Sequence, residues 1–430
     1  MTYDEAIQLL IKSYTKGKKQ SFDALRAALS VMGGPHKRLR CIHVAGTNGK
    51  GSVCAMLSSV LLESGYSVGV FTSPHLQVFN ERIAVNGQMA SDDEFAVHFT
   101  IAVDAMEAVM PEGEGFSYFQ LLVLAAFSLF AARGVDYVIL EAGIGGRLDA
   151  TNVIDDCVLA VITSVGLDHV EILGSTVEEI AREKGGIIKK NCPVVLYSCG
   201  DAVYNEICVI ASAQNAEVLY EPDTVVNVTA ESPEGIEFDV RTRFFTYDGL
   251  QLRLAGAYQP MNACTALLAV HALRARGLAL PEDAVRRGLR NARWPGRMEI
   301  MGRSPLIILD GAHNRDAAAM FAQSAQAYFA GRHVTAIIGV LRGKEYEILV
   351  NQLTLGAEAV ILTKPAYAAR AMDTKMLYDA LENKNRLVLT EGDYRRALAL
   401  ALRVTPPDGV IVCAGSLYLV GDIRNLLKSD

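Results

Sequence analysis

The chain lacks the features by which nucleic-acid-binding and membrane proteins are recognised. Lysine and arginine are concentrated in no segment of its 430 residues, and the formal net charge is −7. Because nucleic acids are bound by clustered positive charge, no nucleic-acid partner is expected. The apolar run at 121–132 is shorter than the roughly 20 residues that a membrane-spanning helix needs. We therefore expect no contact with a membrane.

Cysteine motifs and targeting signals are also missing from the sequence. None of the eight cysteines forms a C-x-x-C pair, and most lie in apolar runs, so buried free thiols in a reducing compartment are expected. The N-terminal sequence MTYDEAIQLL lacks the basic region and apolar core of a signal peptide, and we predict a cytoplasmic protein. With 51% hydrophobic and 21% charged residues, the composition is that of a globular enzyme. The length predicts two or three domains.

The stretch RCIHVAGTNGKGS, residues 40–52, has the order of a phosphate-binding loop. An apolar run that predicts a buried parallel strand precedes three glycines, Lys50 and Ser52, and helical spacing follows. Glycine N–H groups, a helix N-terminus and a lysine ammonium together stabilise phosphate oxygens. The strict P-loop pattern is not met, because Val44 replaces its first glycine and Gly51 separates Lys50 from Ser52. We interpret the stretch as a nucleoside triphosphate site rather than as an ordinary glycine-rich turn.

Three polar side chains follow predicted parallel strands at the end where doubly wound sheets bind ligands, namely Ser73, Glu141 and His169. Glu141 lies beside a glycine turn, which is where an acid that holds Mg²⁺ is expected. Each residue has an ordinary alternative: a turn serine before proline, a solvent-facing glutamate and a structural histidine. The glycine loop upstream favours a metal site for Glu141, and for His169 both interpretations stay open.

The order of predicted elements indicates an α/β protein with two domains. Residues 1–292 predict a P-loop domain with a doubly wound, mostly parallel sheet. Within it, the period changes to two over 225–254, which predicts a small antiparallel sheet at the edge of the main sheet. Residues 293–297, with the only Trp, a Pro and a Gly, predict a linker to a smaller Rossmann-like α/β domain over 298–430. The basic run at 16–19 is interpreted as a solvated turn, with contact to an anionic substrate as the alternative.

Taken together, these features predict an ATP-dependent transferase or ligase, and nine motifs then carry a resemblance that covers nearly the whole chain. They are HVAGTNGKGS at 43–52, TSPHL at 72–76, FNERI at 79–83, EAGIGGRLDATN at 141–152, LDHVEILG at 167–174, AREKGGI at 181–187, WPGR at 294–297, DGAHN at 310–314 and AGSLYLVG at 414–421. In this order they resemble the folylpolyglutamate synthase and dihydrofolate synthase family, relatives of the Mur ligases. GTNGKGS alone fits any Mur ligase, whereas TSPHL, GGRLDATN and DGAHN together indicate the folate branch.

The resemblance implies a nucleotide and metal site. The residues implied to contact ATP are Gly49, Lys50, Gly51, Ser52, Asn262, Arg297 and Asp310. Ser73 and Glu141 resemble the ligands of one Mg²⁺, and His169 resembles a ligand of a second. Lys184 resembles a lysine that becomes N-carboxylated. A carbamate would act as an extra carboxylate, whereas a surface lysine at a helix end is the alternative.

The resemblance also implies the substrate contacts. The residues that match the dihydropteroate-binding stretches are Ser117, Tyr118, Phe119, Gln120, Leu148, Asp149 and Ala150. His313, which the resemblance also places among the catalytic residues with Lys50 and Lys184, is matched with Ser416 and Tyr418 to the incoming glutamate. Gln120, Tyr258 and Arg315 stand where family members commonly have Glu, His and Pro.

The implied reaction joins L-glutamate to a carboxylate of a reduced folate or dihydropteroate, with ATP cleaved to ADP and phosphate. An acyl phosphate forms first, and Mg²⁺ and Lys50 neutralise the charge of the two anions that approach each other. The amine of glutamate then displaces phosphate. A monomer is expected.

Two alternatives remain at this point. A Mur-type ligase acting on another carboxylate, such as a UDP-linked sugar acid, would have a further N-terminal domain, and only about 40 residues precede the glycine loop. A nucleotide-dependent regulator would hydrolyse ATP independently of folate and glutamate.

Overall fold

The computed structural model describes residues 1–16, 21–110, 117–367 and 369–429, so most of the basic run predicted as a turn lies outside the described residues. Two compact units are present. Unit 1 comprises Met1–Val225, Val240–Thr246 and Met261–Ala292, and unit 2 comprises Val226–Asp239, Tyr247–Pro260 and Arg293–Asp430. The functional domains over 1–292 and 298–430 stay a prediction. Within the described ranges, no helix has both the length and the apolar character needed to cross a membrane.

Unit 1 is an α/β structure in which short strands alternate with helices. Its strands are β1 (Cys41–Ala45), β2 (Val68–Phe71), β3 (Ile83–Val85), β4 (Gln88–Met89), β5 (Tyr137–Glu141), β6 (Leu159–Ile162), β7 (Val194–Leu196) and β8 (Val218–Tyr220). Its helices are α1 (Tyr3–Lys16), α2 (Phe22–Val31), α3 (Lys50–Glu63), α4 (Asp92–Glu107), α5 (Tyr118–Arg133), α6 (Val170–Leu173), α7 (Val177–Gly185), α8 (Asp201–Ala213), α9 (Gln259–Ala275) and α10 (Glu282–Asn291). The first two residues of α9 belong to unit 2.

The described strands of unit 1 form one sheet in the order β4-β3-β2-β5-β1-β6-β7-β8. All neighbours from β2 to β8 pair in parallel, and β3 and β4 add an antiparallel edge. The central strand β1 is buried along its whole length, as expected for a parallel strand covered on both faces. The prediction of a doubly wound, mostly parallel sheet is therefore confirmed.

Helix boundaries follow local capping chemistry in unit 1. The Ser91 hydroxyl accepts a hydrogen bond from Glu94 N, and the Glu94 carboxylate accepts one from Ser91 N, which is the predicted capping box at the start of α4. The Ser21 side chain likewise accepts from Ala24 N and caps α2. Helix α5 is apolar nearly all round and has ten buried residues, so it lies in the core.

Unit 2 contains most of a small antiparallel sheet and a larger α/β sheet. The remaining strands are β9 (Val225–Ser232), β10 (Gly235–Arg241), β11 (Thr246–Leu252), β12 (Glu299–Arg303), β13 (Leu306–Leu309), β14 (Val334–Ile338), β15 (Ala359–Leu362), β16 (Leu387–Thr390) and β17 (Val410–Ala414). The remaining helices are α11 (Arg315–Phe329), α12 (Tyr346–Leu353), α13 (Thr374–Ala380), α14 (Tyr394–Val404) and α15 (Leu417–Ser429). The larger sheet has the order β12-β13-β17-β14-β15-β16, with only β12 antiparallel. This confirms the predicted Rossmann-like C-terminal α/β structure.

The placement of the small antiparallel sheet was predicted wrongly. Strands β9, β10 and β11 pair only with one another among the described residues and form a separate sheet, not an edge of the main one. Most of their residues belong to unit 2. In β10 the isoleucine, phenylalanine and valine are buried and alternate with more exposed residues, a pattern suited to a sheet with one wet face. Edge strand β8 occupies the border of the main sheet instead.

The expectation that all eight cysteines are free thiols was also wrong for one pair. Cys157 and Cys192 form a disulfide, although 35 positions separate them in the sequence. Each stands two residues before a strand, β6 or β7, and these strands are parallel neighbours in the sheet. The fold thus creates a proximity that no spacing motif indicates. The other six cysteines are free.

Candidate active site

The glycine loop connects β1 to α3 at the carboxyl end of the central strand. Gly49 has φ +86°, a conformation that favours glycine, and it precedes the first helical residue, Lys50. A Cβ at Gly49 would lie 2.5 Å from Oδ1 of Asn262, which is buried. At Gly46, a Cβ would collide with the Thr163 side chain. Both glycines are therefore required by close approach, and the predicted ATP contacts Gly49 and Asn262 lie side by side.

The Lys50 side chain folds back onto the glycine loop. Its Nζ donates hydrogen bonds to the carbonyl oxygens of Gly46, at 2.9 Å, and of Thr47, at 3.1 Å. The ammonium is thereby fixed at the start of α3, where the positive end of the helix dipole also lies. The next residues follow into the first turn of α3, and Ser52 is buried there. This is a suitable place for phosphate oxygens.

Residues after β6 anchor the loop, and sequence reasoning missed them. Thr47 N donates to Ser164 O at 2.6 Å, and Asn48 N donates to Ser164 Oγ at 3.1 Å. The Thr163 hydroxyl donates to Asn48 O at 2.7 Å. Because β6 is the direct neighbour of β1, these contacts depend on strand order. The one signal for them in the sequence is the apolar run at 158–163, which predicts a strand that ends at Thr163.

Glu141 and Ser73 are brought together, as the sequence predicts. Glu141 ends β5 and is 3% exposed, and its Oε2 accepts a hydrogen bond from Ser73 N at 3.0 Å. Strand β5 lies between β2 and β1, so Glu141 separates the Ser73 segment from the glycine loop. Mg²⁺ is bound in nucleotide sites by one or two carboxylates together with phosphates and water. A buried carboxylate next to the phosphate loop fits such an ion.

Lys184 is buried in the last turn of α7, 3% exposed, and its surroundings are unusual for an ammonium. The pKa of Lys184 is lowered to about 7, first by burial and then by the charge of Lys50, and Asp168 opposes the shift. Lys184, Lys50 and Asp168 therefore share one electrostatic environment. A substantial fraction of the Lys184 amine is neutral near pH 7, which is the reactive form for N-carboxylation.

His169 lies next to this group but is less enclosed. It starts the short helix α6 with φ +52°, its side chain is 40% exposed, and its Nε2 lies 3.9 Å from Oδ2 of Asp168. Among the residues that the structure describes, no three His, Cys, Asp or Glu side chains converge on one metal position. Those four residue types do not include serine or a carboxylated lysine. The metal ligands Ser73, Glu141 and His169 therefore stay a prediction.

The two stretches predicted to bind dihydropteroate are neighbours. Ser117 precedes α5, Tyr118 and Phe119 are half-buried, and Gln120 is buried. A Cβ at Gly143 would lie 2.8 Å from Cζ of Phe119, so the start of α5 touches the loop that ends at Leu148, Asp149 and Ala150. Leu148 is 47% exposed, whereas Asp149 and Ala150 are buried.

In unit 2, Asp310 and Arg297 lie together at the end of β13. Asp310 is buried and accepts hydrogen bonds from Met298 N at 2.9 Å, Ala312 N at 2.8 Å and Tyr258 Oη at 3.3 Å. Burial raises the pKa of Asp310, and Arg297 together with these donors opposes the rise. Tyr258, which stands where family members commonly have His, thus donates a hydrogen bond directly to the Asp310 carboxylate.

The residues predicted to meet glutamate follow β13 and β17, strands that are neighbours in the sheet. His313 Nδ1 lies 2.7 Å from Gly311 O, which only accepts, so Nδ1 donates this bond. Ser416 is buried, and its Oγ accepts from Tyr418 N at 3.2 Å. The Tyr418 ring stacks on Tyr367 with centroids 5.1 Å apart. These three residues thus follow the carboxyl ends of two neighbouring strands of one sheet. Their contact with glutamate stays a prediction.

Comparison with known proteins assigns the class. Residues 44–270 match the family model of the Mur ligase middle domain, and residues 296–417 match that of the Mur ligase glutamate ligase domain. The chain is thus a carbon–nitrogen ligase of the Mur ligase type.

The particular branch follows from full-length relatives. The dihydrofolate synthase/folylpolyglutamate synthase of Bacillus subtilis is 36% identical over 416 residues, 96% of both chains. The Mycobacterium tuberculosis folylpolyglutamate synthase, solved with ADP and AMPPCP, has a TM-score of 0.85 at 30% identity and covers 95% of this chain and 96% of its own. Escherichia coli FolC, solved with DHPP and ADP, has a TM-score of 0.87 at 29% identity, with coverages of 100% and 98%. The chain belongs to the folylpolyglutamate synthase/dihydrofolate synthase family.

Proposed function

We propose that this protein uses ATP to join L-glutamate to the carboxylate of a reduced folate or of dihydropteroate. The observation that carries the proposal is the meeting of four groups in unit 1: the glycine loop, Lys50, the Ser73–Glu141 pair and the low-pKa Lys184. A ligase that forms an acyl phosphate needs these groups together, because two anions must approach each other.

In the first step, a carboxylate oxygen of the folate attacks the γ-phosphorus, the bond to the β-phosphate oxygen breaks, and ADP leaves. Lys50 and the N–H groups at Gly49, Gly51 and Ser52 hold the phosphate oxygens and offset their charge. We assign one Mg²⁺ to Ser73 and Glu141 and a second to His169. When bound, these ions supply positive charge to the phosphate oxygens.

Lys184 is proposed to act as a carbamate. Its neutral amine adds to CO₂ through a new N–C bond and releases one proton, which converts the uncharged amine into an anionic carbamate. The pKa of about 7, caused chiefly by burial, supports this reaction near neutral pH. The carbamate oxygens would add to the carboxylate of Glu141 as metal ligands, and the repulsion between Lys184 and Lys50 would become an attraction.

In the second step, the amine of glutamate attacks the acyl carbon and phosphate leaves. His313 is the proposed base. Its Nδ1 donates to Gly311 O, so the neutral ring carries its lone pair on Nε2, where a proton can be accepted. Ser416 and Tyr418 are proposed to meet the glutamate. In unit 2, Arg297 and Asp310 are proposed nucleotide contacts, as Asn262 is in unit 1.

The test is ADP release and labelled-glutamate incorporation with ATP and Mg²⁺, using dihydropteroate and tetrahydrofolate in parallel. ADP release that requires both the folate acid and glutamate supports the proposal, and the preferred acid distinguishes synthase from polyglutamate activity. ADP release that continues when either substrate is omitted would favour a nucleotide-dependent regulator. A monomeric state and a cytoplasmic location stay predictions.

A further inference from the structure

Two residues of the family motifs, His43 and Thr151, have no part in the chemistry described so far. His43 lies in the middle of β1 and is completely buried, directly before the glycine loop. Thr151 is also completely buried, in the 3₁₀ turn Ala150–Val153. His43 Nε2 lies 2.9 Å from Thr151 Oγ1, although 108 positions separate them.

The direction of the hydrogen bonds fixes the tautomer of His43. Thr151 Oγ1 lies 2.6 Å from Asp149 Oδ1, and a carboxylate oxygen can only accept. The single hydroxyl proton of Thr151 therefore points to Asp149, and the bond from His43 must be donated by Nε2–H. Nδ1 then carries the lone pair, and it is buried without a partner among the described residues. Burial lowers the pKa of His43 to about 3, so the ring is neutral.

Both carboxylate oxygens of Asp149 accept hydrogen bonds from nearby residues of the same loop and the 3₁₀ turn that follows it. Its Oδ2 accepts from Gly143 N at 3.0 Å and from Ile144 N at 3.1 Å, and its Oδ1 accepts from Thr151 N at 3.0 Å as well as from the Thr151 hydroxyl. Burial raises the pKa of Asp149, and these four donors oppose the rise. Four donors directed at two oxygens fit the ionised carboxylate.

These bonds connect the central strand to the loop that follows Glu141. Gly143 and Ile144, the residues held by Asp149 Oδ2, come two and three positions after Glu141. The same loop carries Ile144 and Leu148, whose side chains are 42% and 47% exposed, and it touches Phe119. The loop therefore has a fixed backbone and an apolar, accessible surface beside a half-buried aromatic ring.

We infer that His43 and Thr151 are positioning residues that hold Asp149 in one orientation, so that the loop over 143–149 keeps the shape that receives the ring system of the folate acid. This inference rests on the proposed function. His43 fixes the Thr151 hydroxyl, Thr151 fixes Asp149, and Asp149 fixes the N–H groups of Gly143 and Ile144. The effect is on acid binding, not on ATP or on glutamate.

The test compares Thr151→Val, which removes the hydroxyl at nearly constant volume, with Thr151→Ser, which retains it. Thr265→Val is the matched control, because Thr265 is also buried in unit 1 and its hydroxyl donates to Met261 O of its own helix. We expect Thr151→Val to raise KM for dihydropteroate or tetrahydrofolate about tenfold or more, the factor that one charge-assisted hydrogen bond supplies. kcat and KM for ATP and for glutamate should change little. Thr151→Ser and Thr265→Val should resemble the wild type.

An unchanged KM for the acid in Thr151→Val would overturn the inference, and so would equal damage in Thr151→Ser or a parallel rise in KM for ATP. Failure of the proposed function is a different result: the wild type itself would not incorporate glutamate. If Thr151→Val does not fold, the tautomer of His43 in the wild type still tests the inference. Long-range ¹H–¹⁵N spectra, with His43 identified by its loss in His43→Gln, should show a neutral Nε2–H tautomer from pH 6 to 8. A Nδ1–H tautomer or a cationic ring would refute the relay.

Discussion

Lys184 offers the sharpest test of the site, because its burial affects stability and activity in opposite directions. The variant Lys184→Met removes the ammonium and keeps a side chain of similar length in the buried position. The group that is proposed to become a carbamate is lost, so ligase activity should disappear. The same change relieves the folded protein of a desolvated amine, so the free energy of unfolding should increase.

The magnitude follows from the pKa values. A lysine with a pKa of 10.5 when unfolded and about 7 when folded lowers the free energy of unfolding by about 4 kcal/mol at pH 7 and by about 2 kcal/mol at pH 9. The sign is set by proton binding: between these two pKa values the unfolded chain holds more protons, so the stability of the wild type rises with pH. The stabilisation by Lys184→Met should accordingly shrink by about half from pH 7 to pH 9.

The assay is equilibrium unfolding in urea at pH 6, 7, 8 and 9, in buffer freed of CO₂ so that the amine stays unmodified. Lys190→Met, a change at an exposed lysine six positions away, serves as the control and should show no such pH-dependent difference. If Lys184→Met and the wild type gain stability with pH in parallel, Lys184 does not titrate as a buried amine. If the variant retains normal turnover, the carbamate proposal is wrong.

Two further substitutions test the phosphate and metal sites. Glu141→Gln keeps an acceptor for Ser73 N but removes the charge, so it should severely weaken Mg²⁺-dependent ATP use, measured as ADP release against Mg²⁺ concentration. Wild-type Mg²⁺ dependence in this variant would exclude Glu141 from the metal site. Gly49→Ala should raise KM for ATP at least about tenfold, because the added Cβ collides with Asn262 and the φ of +86° is unfavourable for alanine. The control Gly65→Ala has a similar φ, +89°, but open space around the added Cβ, so it should cause backbone strain alone and leave KM for ATP unchanged. Equal effects of the two alanines on KM would show that the contact with Asn262 is unimportant.

Local sequence was sufficient for much of the architecture. The apolar runs predict most strands, and the capping box at Ser91 and Glu94 predicts where α4 begins. The glycine pattern predicts the loop between β1 and α3, although the helix starts at Lys50, three residues before its apolar spacing does. The short edge strands β8 and β12 went unpredicted, because a few residues at a sheet border carry little periodic signal.

The sequence by itself determined which residues end strands and which turns need glycine, since these properties depend on a few neighbouring positions. Only the tertiary structure decided which strand ends meet. The order β2-β5-β1-β6 places Ser73, Glu141, the glycine loop and its Thr163 anchor next to one another, although 117 positions separate Gly46 from Thr163 in the sequence. The pairing of β6 with β7 likewise brings Cys157 to Cys192, and the fold of the loop after β5 brings Thr151 to His43. Burial of Lys184, and hence its low pKa, likewise arises from packing between distant segments, because desolvation depends on every atom around a group and not on its neighbours in the chain.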